Sequence, residues 1–240
     1  MANQFFKFKQ FEILQKKNSM KVTTDACILG AMADFSGCSE ILDIGAGTGL
    51  LTLMQAQKFP NASYTAVEIE ESGFEELVEN CKQSAWSKRI DCVNKNILDF
   101  AQEPSNHYRF DGIITNPPFF RANLKSPVSE RNRVRHEDGV LSMTELLACI
   151  DLLLKTHGKC FCLYPYRRFE EFLHSSNAQQ LVCRNVVFLQ NSPNKEPQLF
   201  IAEIGKESDT LSFQERKFNI RNSDLNYSKE FVELMRSYYL

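Results

Sequence analysis

Ile41-Leu42-Asp43-Ile44-Gly45-Ala46-Gly47-Thr48-Gly49-Leu50-Leu51 decides how this chain is read. Glu40 to Ile44 has the length and apolar character of a strand, three glycines at alternate positions form a tight turn, and Leu50 to Lys58 opens a helical pattern. Glycines allow such a turn and let the backbone approach a ligand closely. The next strand, Ser63 to Ile69, carries Val67-Glu68 nineteen residues after Gly49. A carboxylate there can accept hydrogen bonds from both hydroxyls of a ribose. The expected ligand is a nucleoside on Asp43, Gly45, Ala46, Gly47, Gly49 and Glu68, against the plainer reading of a tight turn that binds nothing. The spacing is G-x-G-x-G, not the G-x-G-x-x-G of dinucleotide sites, and an acidic Asp43 suits a cationic ligand better than a diphosphate.

Strand and helix patterns alternate outward from this stretch. Helices are expected over 72–84, 144–154 and 168–175, and strands over 90–94, 110–116 and 159–164. Strands at 181–189 and 199–204, joined by a Pro- and Asn-containing loop, can pair as a hairpin. Repeated βα units predict an α/β, Rossmann-like, doubly wound sheet of seven mostly parallel strands, with an antiparallel edge hairpin and helices on both faces. The chain reads as one domain over 1–240, with an N-terminal extension (1–35), a core (36–205) and a tail (206–240) carrying a helix over 228–238.

At 240 residues, 43% hydrophobic and 24% charged, the composition is that of a globular chain and sets disorder and membrane classes aside. No apolar run is long enough to span a bilayer, and Met1-Ala2-Asn3-Gln4 opens no secretion signal. Eight cysteines are scattered without a CxxC or paired histidines, which favours free core thiols in a reducing cytoplasm over disulfides or a metal site. A net charge of −2 means that any polyanion must be held by local clusters. One is the N-terminal stretch Phe5-Phe6-Lys7-Phe8-Lys9-Gln10-Phe11, whose period-two alternation predicts a strand or hairpin with an aromatic and a basic face; Lys16, Lys17 and Lys21 follow. Its lysines either guard an edge strand or face a polyanion. After it, Thr23-Thr24-Asp25 reads as the N-cap of a buried helix over 26–33.

Chemistry is expected at Asn116-Pro117-Pro118-Phe119, which ends the 110–116 strand at the carboxyl edge where open α/β sheets hold ligands. The prolines stiffen the loop and push Asn116 towards an extended conformation. The Asn116 oxygen and the Pro117 carbonyl can accept both hydrogens of an amine conjugated to a planar ring, and so stabilise the charge that develops on nitrogen during alkylation. An aromatic at Phe119 can stack on that ring. The plainer reading is a rigid loop capping the sheet. Beyond it, Arg131, Arg133 and Arg135 alternate and His136 follows; they form either a salt-bridged surface segment or a phosphate clamp.

The glycine stretch resembles the first motif of class I S-adenosylmethionine-dependent methyltransferases, and Asn116-Pro117-Pro118-Phe119 resembles their NPP[YF] signature for planar amines. Phe8-Lys9-Gln10-Phe11, Met20-Lys21-Val22, Thr24-Asp25, Leu29-Gly30-Ala31, Leu124-Lys125-Ser126-Pro127, Arg131-Asn132, Arg135-His136 and the tail Tyr238-Tyr239-Leu240 are similar to the bacterial tRNA(Val) adenine-N6 methyltransferases. That resemblance covers nearly the whole chain. It implies S-adenosyl-L-methionine as cofactor, with Thr24, Asp25, Asn96 and Asn116 joining the glycine loop and Glu68 around it. Asn96 stands where the family commonly has an acidic residue, and Phe119 where tyrosine is frequent. It implies a tRNA partner, held by Lys7, Lys9, Lys21, Arg131, Arg133, Arg135 and His136. The base would have to be turned out of its stack to reach the loop. A monomeric, cytoplasmic enzyme without metal is expected. The alternatives are an adenine methyltransferase acting on other RNA or DNA, a protein glutamine methyltransferase, a non-catalytic RNA-binding module and, more distantly, a dinucleotide oxidoreductase.

Overall fold

A computed structural model describes residues 4–16, 21–117, 141–206 and 214–239. Of the expected site residues, Pro118, Phe119, Arg131, Arg133, Arg135 and His136 lie outside the described residues. The chain begins with a hairpin, β1 (Phe5–Lys7) and β2 (Glu12–Leu14), then helix α1 (Thr24–Met32). Three strand–helix units follow: β3 (Glu40–Ile44) and α2 (Leu50–Lys58), β4 (Ser63–Glu68) and α3 (Glu71–Gln83), β5 (Ile90–Asn94) and α4 (Ile97–Gln102). Next come β6 (Phe110–Thr115), α5 (Met143–Leu153), β7 (Leu154–Pro165) and α6 (Phe169–Ala178). The chain closes with β8 (Val182–Gln190), β9 (Leu199–Gly205), β10 (Gln214–Asn219) and α7 (Lys229–Met235).

The main sheet has the order β10-β8-β9-β7-β6-β3-β4-β5. β3 lies inside it, paired in parallel with β4 on one side and β6 on the other, so its residues are apolar on both faces apart from Glu40 at its start and Asp43. β9 runs antiparallel between β7 and β8. The sheet has eight strands where the sequence predicted seven, because β10 adds to β8 in parallel register, Gln214 opposite Asn185 through Asn219 opposite Gln190. Four of its six residues are exposed and polar, so no apolar alternation marks it as a strand. Helix α4, which the sequence pattern does not predict, has only six residues and is capped by Asn96.

Each face of the sheet has its own apolar layer. Ile28, Leu51, Met54 and Leu77 from α1 to α3 pack on one face, together with Phe8, Phe231 and Tyr238 from the two ends of the chain. Phe100, Leu146, Ile150 and Phe172 from α4 to α6 pack on the other, with Phe188 and Phe200. All eight cysteines are free thiols, six of them buried. Among the described residues, no helix is long and apolar enough to cross a membrane, and no group of three or more His, Cys, Asp or Glu side chains is placed to hold a metal ion.

The hairpin buries much of its aromatic face against the body. Phe8 stacks on Phe11 at 4.5 Å, and Phe11 meets the edge of Trp86 at 5.8 Å. Asn80, buried on α3, clips it in place. Its amide nitrogen donates to the carbonyls of Leu14 (3.1 Å) and Thr48 (2.8 Å), and its oxygen accepts from the Leu14 N–H (2.8 Å). One side chain thus joins the hairpin to the glycine loop. Replacing it with alanine leaves one N–H and two carbonyls short of partners, each costing about 1–3 kcal/mol when buried. Asn80→Ala should therefore lose about 2–4 kcal/mol in urea unfolding. A loss below about 0.5 kcal/mol would show that the clip carries no load.

Candidate active site

The turn after β3 is held open from inside. Gly45, Gly47 and Gly49 all have positive φ (70°, 55° and 83°). At Gly49, the N-cap of α2, a Cβ would also stand 2.8 Å from Leu77 Cδ1, so only glycine fits. The N–H groups of Gly45 and Ala46 donate to the Val67 carbonyl (2.9 and 3.0 Å), and that of Gly47 to Glu68 Oε2 (2.7 Å). Glu68 Oε1 accepts from the N–H of Glu70 at 2.8 Å. Glu68 is buried at 7% exposure, and its own carbonyl accepts from the side chain of Asn94 and the N–H of Lys95. The carboxylate that the sequence assigns to a ribose is therefore also the latch that sets the shape of the loop. Each oxygen keeps a further lone pair for a hydroxyl donor.

Asp43 lies beneath the turn, 2% exposed. Its Oδ2 accepts from both the N–H (2.9 Å) and the hydroxyl (2.6 Å) of Thr52, tying the strand to the helix that follows. Its Oδ1 is buried without a partner. Burial lifts the carboxyl to about 7, against the two Thr52 bonds that lower it, and the nearby Glu68 carboxylate adds to the rise. Thr52 escaped the sequence reading, although a hydroxyl inside the apolar run Leu50-Leu51-Thr52-Leu53-Met54 was a signal that something buried needs a donor.

Asn116 directly follows β6. Ile44 pairs with Thr115, and the Thr115 hydroxyl donates to the Ile44 carbonyl at 2.9 Å. Asn116 and Gly45 are thus the next residues on adjacent strands, about 5 Å apart in a sheet. The Asn116 side-chain oxygen is buried and has no hydrogen-bond partner among the described residues. Two unanswered acceptors, Asp43 Oδ1 and Asn116 Oδ1, belong to the neighbouring strands that frame one turn.

Helix α1 runs beside α2 in the same sense. Gly30 faces Leu51 and Met54, and Lys58 Nζ reaches the carbonyls of Ala31 and Ala33, both at 2.8 Å. Its first residues, Thr24 and Asp25, therefore stand at the end of the sheet that carries the glycine turn, with Thr23 capping the helix through a bond from Ala26 N–H. Burial raises the Asp25 carboxyl above the ordinary range. Asn96 has a structural task, since its side-chain oxygen accepts from Leu98 N–H at 2.9 Å and caps α4. Of the lysines, Lys9 donates to the carbonyl of Arg236 at 2.6 Å and Lys21 to that of Gln15, so each ammonium has a local partner. Lys7 is exposed on β1.

A family model described as a methyltransferase small domain matches residues 27–155. A protein of Vibrio vulnificus is 37% identical over 98% of this chain and 95% of its own length, and one of Dyadobacter fermentans is 36% identical over 99% and 98%. Both are named tRNA1(Val) (adenine(37)-N6)-methyltransferase. The chain belongs to this family. The solved structure of a predicted O-methyltransferase from Agrobacterium tumefaciens superposes with a TM-score of 0.69 over 89% of this chain and 96% of that one. At 14% identity it shows the fold alone, that of a class I methyltransferase. In this family's fold the glycine turn and the end of β6 form the carboxyl edge described above.

The buried carboxyl of Asp43 gives stability a definite pH dependence. Below the unfolded value of about 4 both states are protonated and the group contributes nothing. As pH rises from there to about 7 the unfolded chain ionises first, so stability falls, and above about 7 the loss is complete. Asn at this position mimics the protonated group and can still accept from Thr52. Thermal melts of ligand-free protein should show the Asp43→Asn variant gaining on the native chain between about pH 4 and pH 7 and keeping a constant lead above that. Parallel curves would mean that Asp43 ionises freely.

Proposed function

We propose that this chain transfers a methyl group from S-adenosyl-L-methionine to the exocyclic N6 of an adenine in tRNA, adenine 37 of tRNA1(Val). The observation that carries the reading is the buried, unpartnered carbonyl oxygen of Asn116 one strand away from the glycine turn. The near-full-length relatives of that name support the substrate.

The residues suit a cationic nucleoside. Asp43 Oδ1 and the Glu68 carboxylate are acceptors, and the turn's N–H groups at 45, 46 and 47 already have partners inside the protein. A diphosphate would want donors there, whereas an amine, a sulfonium and ribose hydroxyls want acceptors. In this reading Asp43, the turn from Gly45 to Gly49 and Glu68 hold S-adenosylmethionine, with Thr24 and Asp25 at its rim. Bound there, it supplies a methyl group made electrophilic by the positive sulfur.

The adenine N6 lone pair is delocalised into the purine and is a poor nucleophile. Asn116 Oδ1 and the Pro117 carbonyl each accept one N6 hydrogen, which turns the amine to face the methyl group and meets the positive charge that grows on nitrogen. The N6 proton becomes acidic as the new N–C bond forms and leaves to solvent, so no side chain has to remove it beforehand. Phe119 stacks on the purine, and Lys7, Lys9, Lys21, the arginines at 131, 133 and 135 and His136 hold the phosphates of a loop whose base is turned outward.

Labelled S-adenosylmethionine incubated with RNA from cells lacking this gene should place label in N6-methyladenine of tRNA1(Val). Label in DNA, in protein or in another base would sink the assignment. In the same assay Asn116→Ala should slow transfer by about 10²–10³ while cofactor affinity stays within about twofold. Retention of tRNA with no transfer by the native chain would instead mark a binding module.

A further inference from the structure

A second concave site opens along the same edge of the sheet. Tyr166 follows Pro165, the last residue of β7, and β7 is the neighbour of β6, whose end carries Asn116. From there a cleft of about 270 Å³ runs out to β8 and β10, lined by Tyr166, Phe169, Phe188, Glu196, Glu215 and Lys217. Its aromatic wall is fixed. Phe188 takes Tyr166 edge-on at 5.3 Å and Phe169 at 5.1 Å, and the Tyr166 N–H is anchored to the Gln198 carbonyl at 2.9 Å.

The rim supplies charge. Tyr166 is 38% exposed, and neither its phenol oxygen nor the exposed ammonium of Lys217 has a hydrogen-bond or ion-pair partner among the described residues, while Arg216 beside it is paired with Glu230 at 2.6 Å. Glu196 and Glu215 add carboxylates. A flat ring stacks on an aromatic wall, an exocyclic amine donates to a carboxylate, and a phosphate pairs with lysine or arginine. One ligand class presents all three: an unpaired nucleotide carrying an amino group. A base inside a helix cannot enter, since its faces are already stacked.

We propose that this cleft is a second nucleobase subsite, taking an unstacked base of the same RNA loop that delivers its adenine to Asn116. The inference rests on the tRNA reading above, and deepens it by naming Tyr166 and Lys217 as residues that position the substrate. They touch no reacting atom, so they set how well the loop is held and not the chemical step.

The test uses the full chain, S-adenosylmethionine and transcribed tRNA1(Val). Tyr166→Leu keeps bulk on the wall but removes the stacking face, and Tyr166→Phe keeps that face. Tyr166→Leu should raise the KM for tRNA roughly tenfold with kcat within about twofold, and Tyr166→Phe should behave as the native chain. Lys217→Ala should reduce the salt dependence of binding by about one phosphate contact. Ultraviolet cross-linking of the native complex, followed by nuclease digestion and mass spectrometry, should find a nucleotide on the peptide carrying Tyr166. Active native enzyme with an unchanged KM in Tyr166→Leu and no adduct overturns the subsite and leaves the proposed reaction standing. An adduct on a native chain that methylates no tRNA keeps the subsite and removes the reaction. Neither activity nor adduct removes both.

Discussion

A carboxylate buried at the end of an inner strand must be answered by donors, and the whole site is arranged around how Asp43 is answered. Thr52 gives it two, a main-chain N–H and a hydroxyl, and in doing so fixes where α2 starts relative to β3. With both ends of the turn set, the glycines between them have to take left-handed conformations. The Gly47 N–H then comes within reach of Glu68 at the end of the next strand. The remaining oxygen of Asp43 is buried and has no partner among the described residues. It is a fixed, desolvated acceptor, strong because no water competes for it and unfavourable until a donor or cation arrives.

Much of this was legible before any coordinates. An apolar strand running into three glycines has few other structures open to it, and Glu68 at its interval from them marked the carboxylate that meets the turn. The roles of single side chains were harder to read. Asn96 matches a family position for cofactor contact, and local chemistry also makes it a helix cap, because an Asn before an apolar helix start readily serves that task. Thr52 and Asn80 are polar residues on helix faces that are otherwise buried; the sequence marks them as unusual without saying which distant atom each answers. β10 was illegible for another reason. Its residues carry no strand pattern, and its conformation follows from the hydrogen-bonding row that β8 leaves open at the sheet edge.

The basic residues show the same limit. Alternating lysines and aromatics in the N-terminal stretch allowed a guarded edge or a polyanion face. The structure gives the aromatics a packing task and gives Lys9 a bond to the last carbonyls of the C-terminal helix. With a net charge of −2 the chain has no general attraction for RNA. Affinity for RNA would have to come from a few cations placed beside flat apolar surface, which is what the proposed subsite between Tyr166 and Lys217 would offer.

The junction of the two chain ends constrains how the molecule is made. Lys9 donates its N–H to the carbonyl of Tyr238 and its ammonium to that of Arg236, partners 229 and 227 positions further along. Phe6 and Phe8 both lie within about 6 Å of Tyr239. During synthesis the hairpin leaves the ribosome more than two hundred residues ahead of these partners, so it waits long for its full set of contacts. Closing so large a loop is slow relative to local helix and strand formation. The central βα units can assemble as they emerge. The hairpin meets residues 236–239 only once they have been made, which leaves its aromatic residues without that cover while the units between are synthesised.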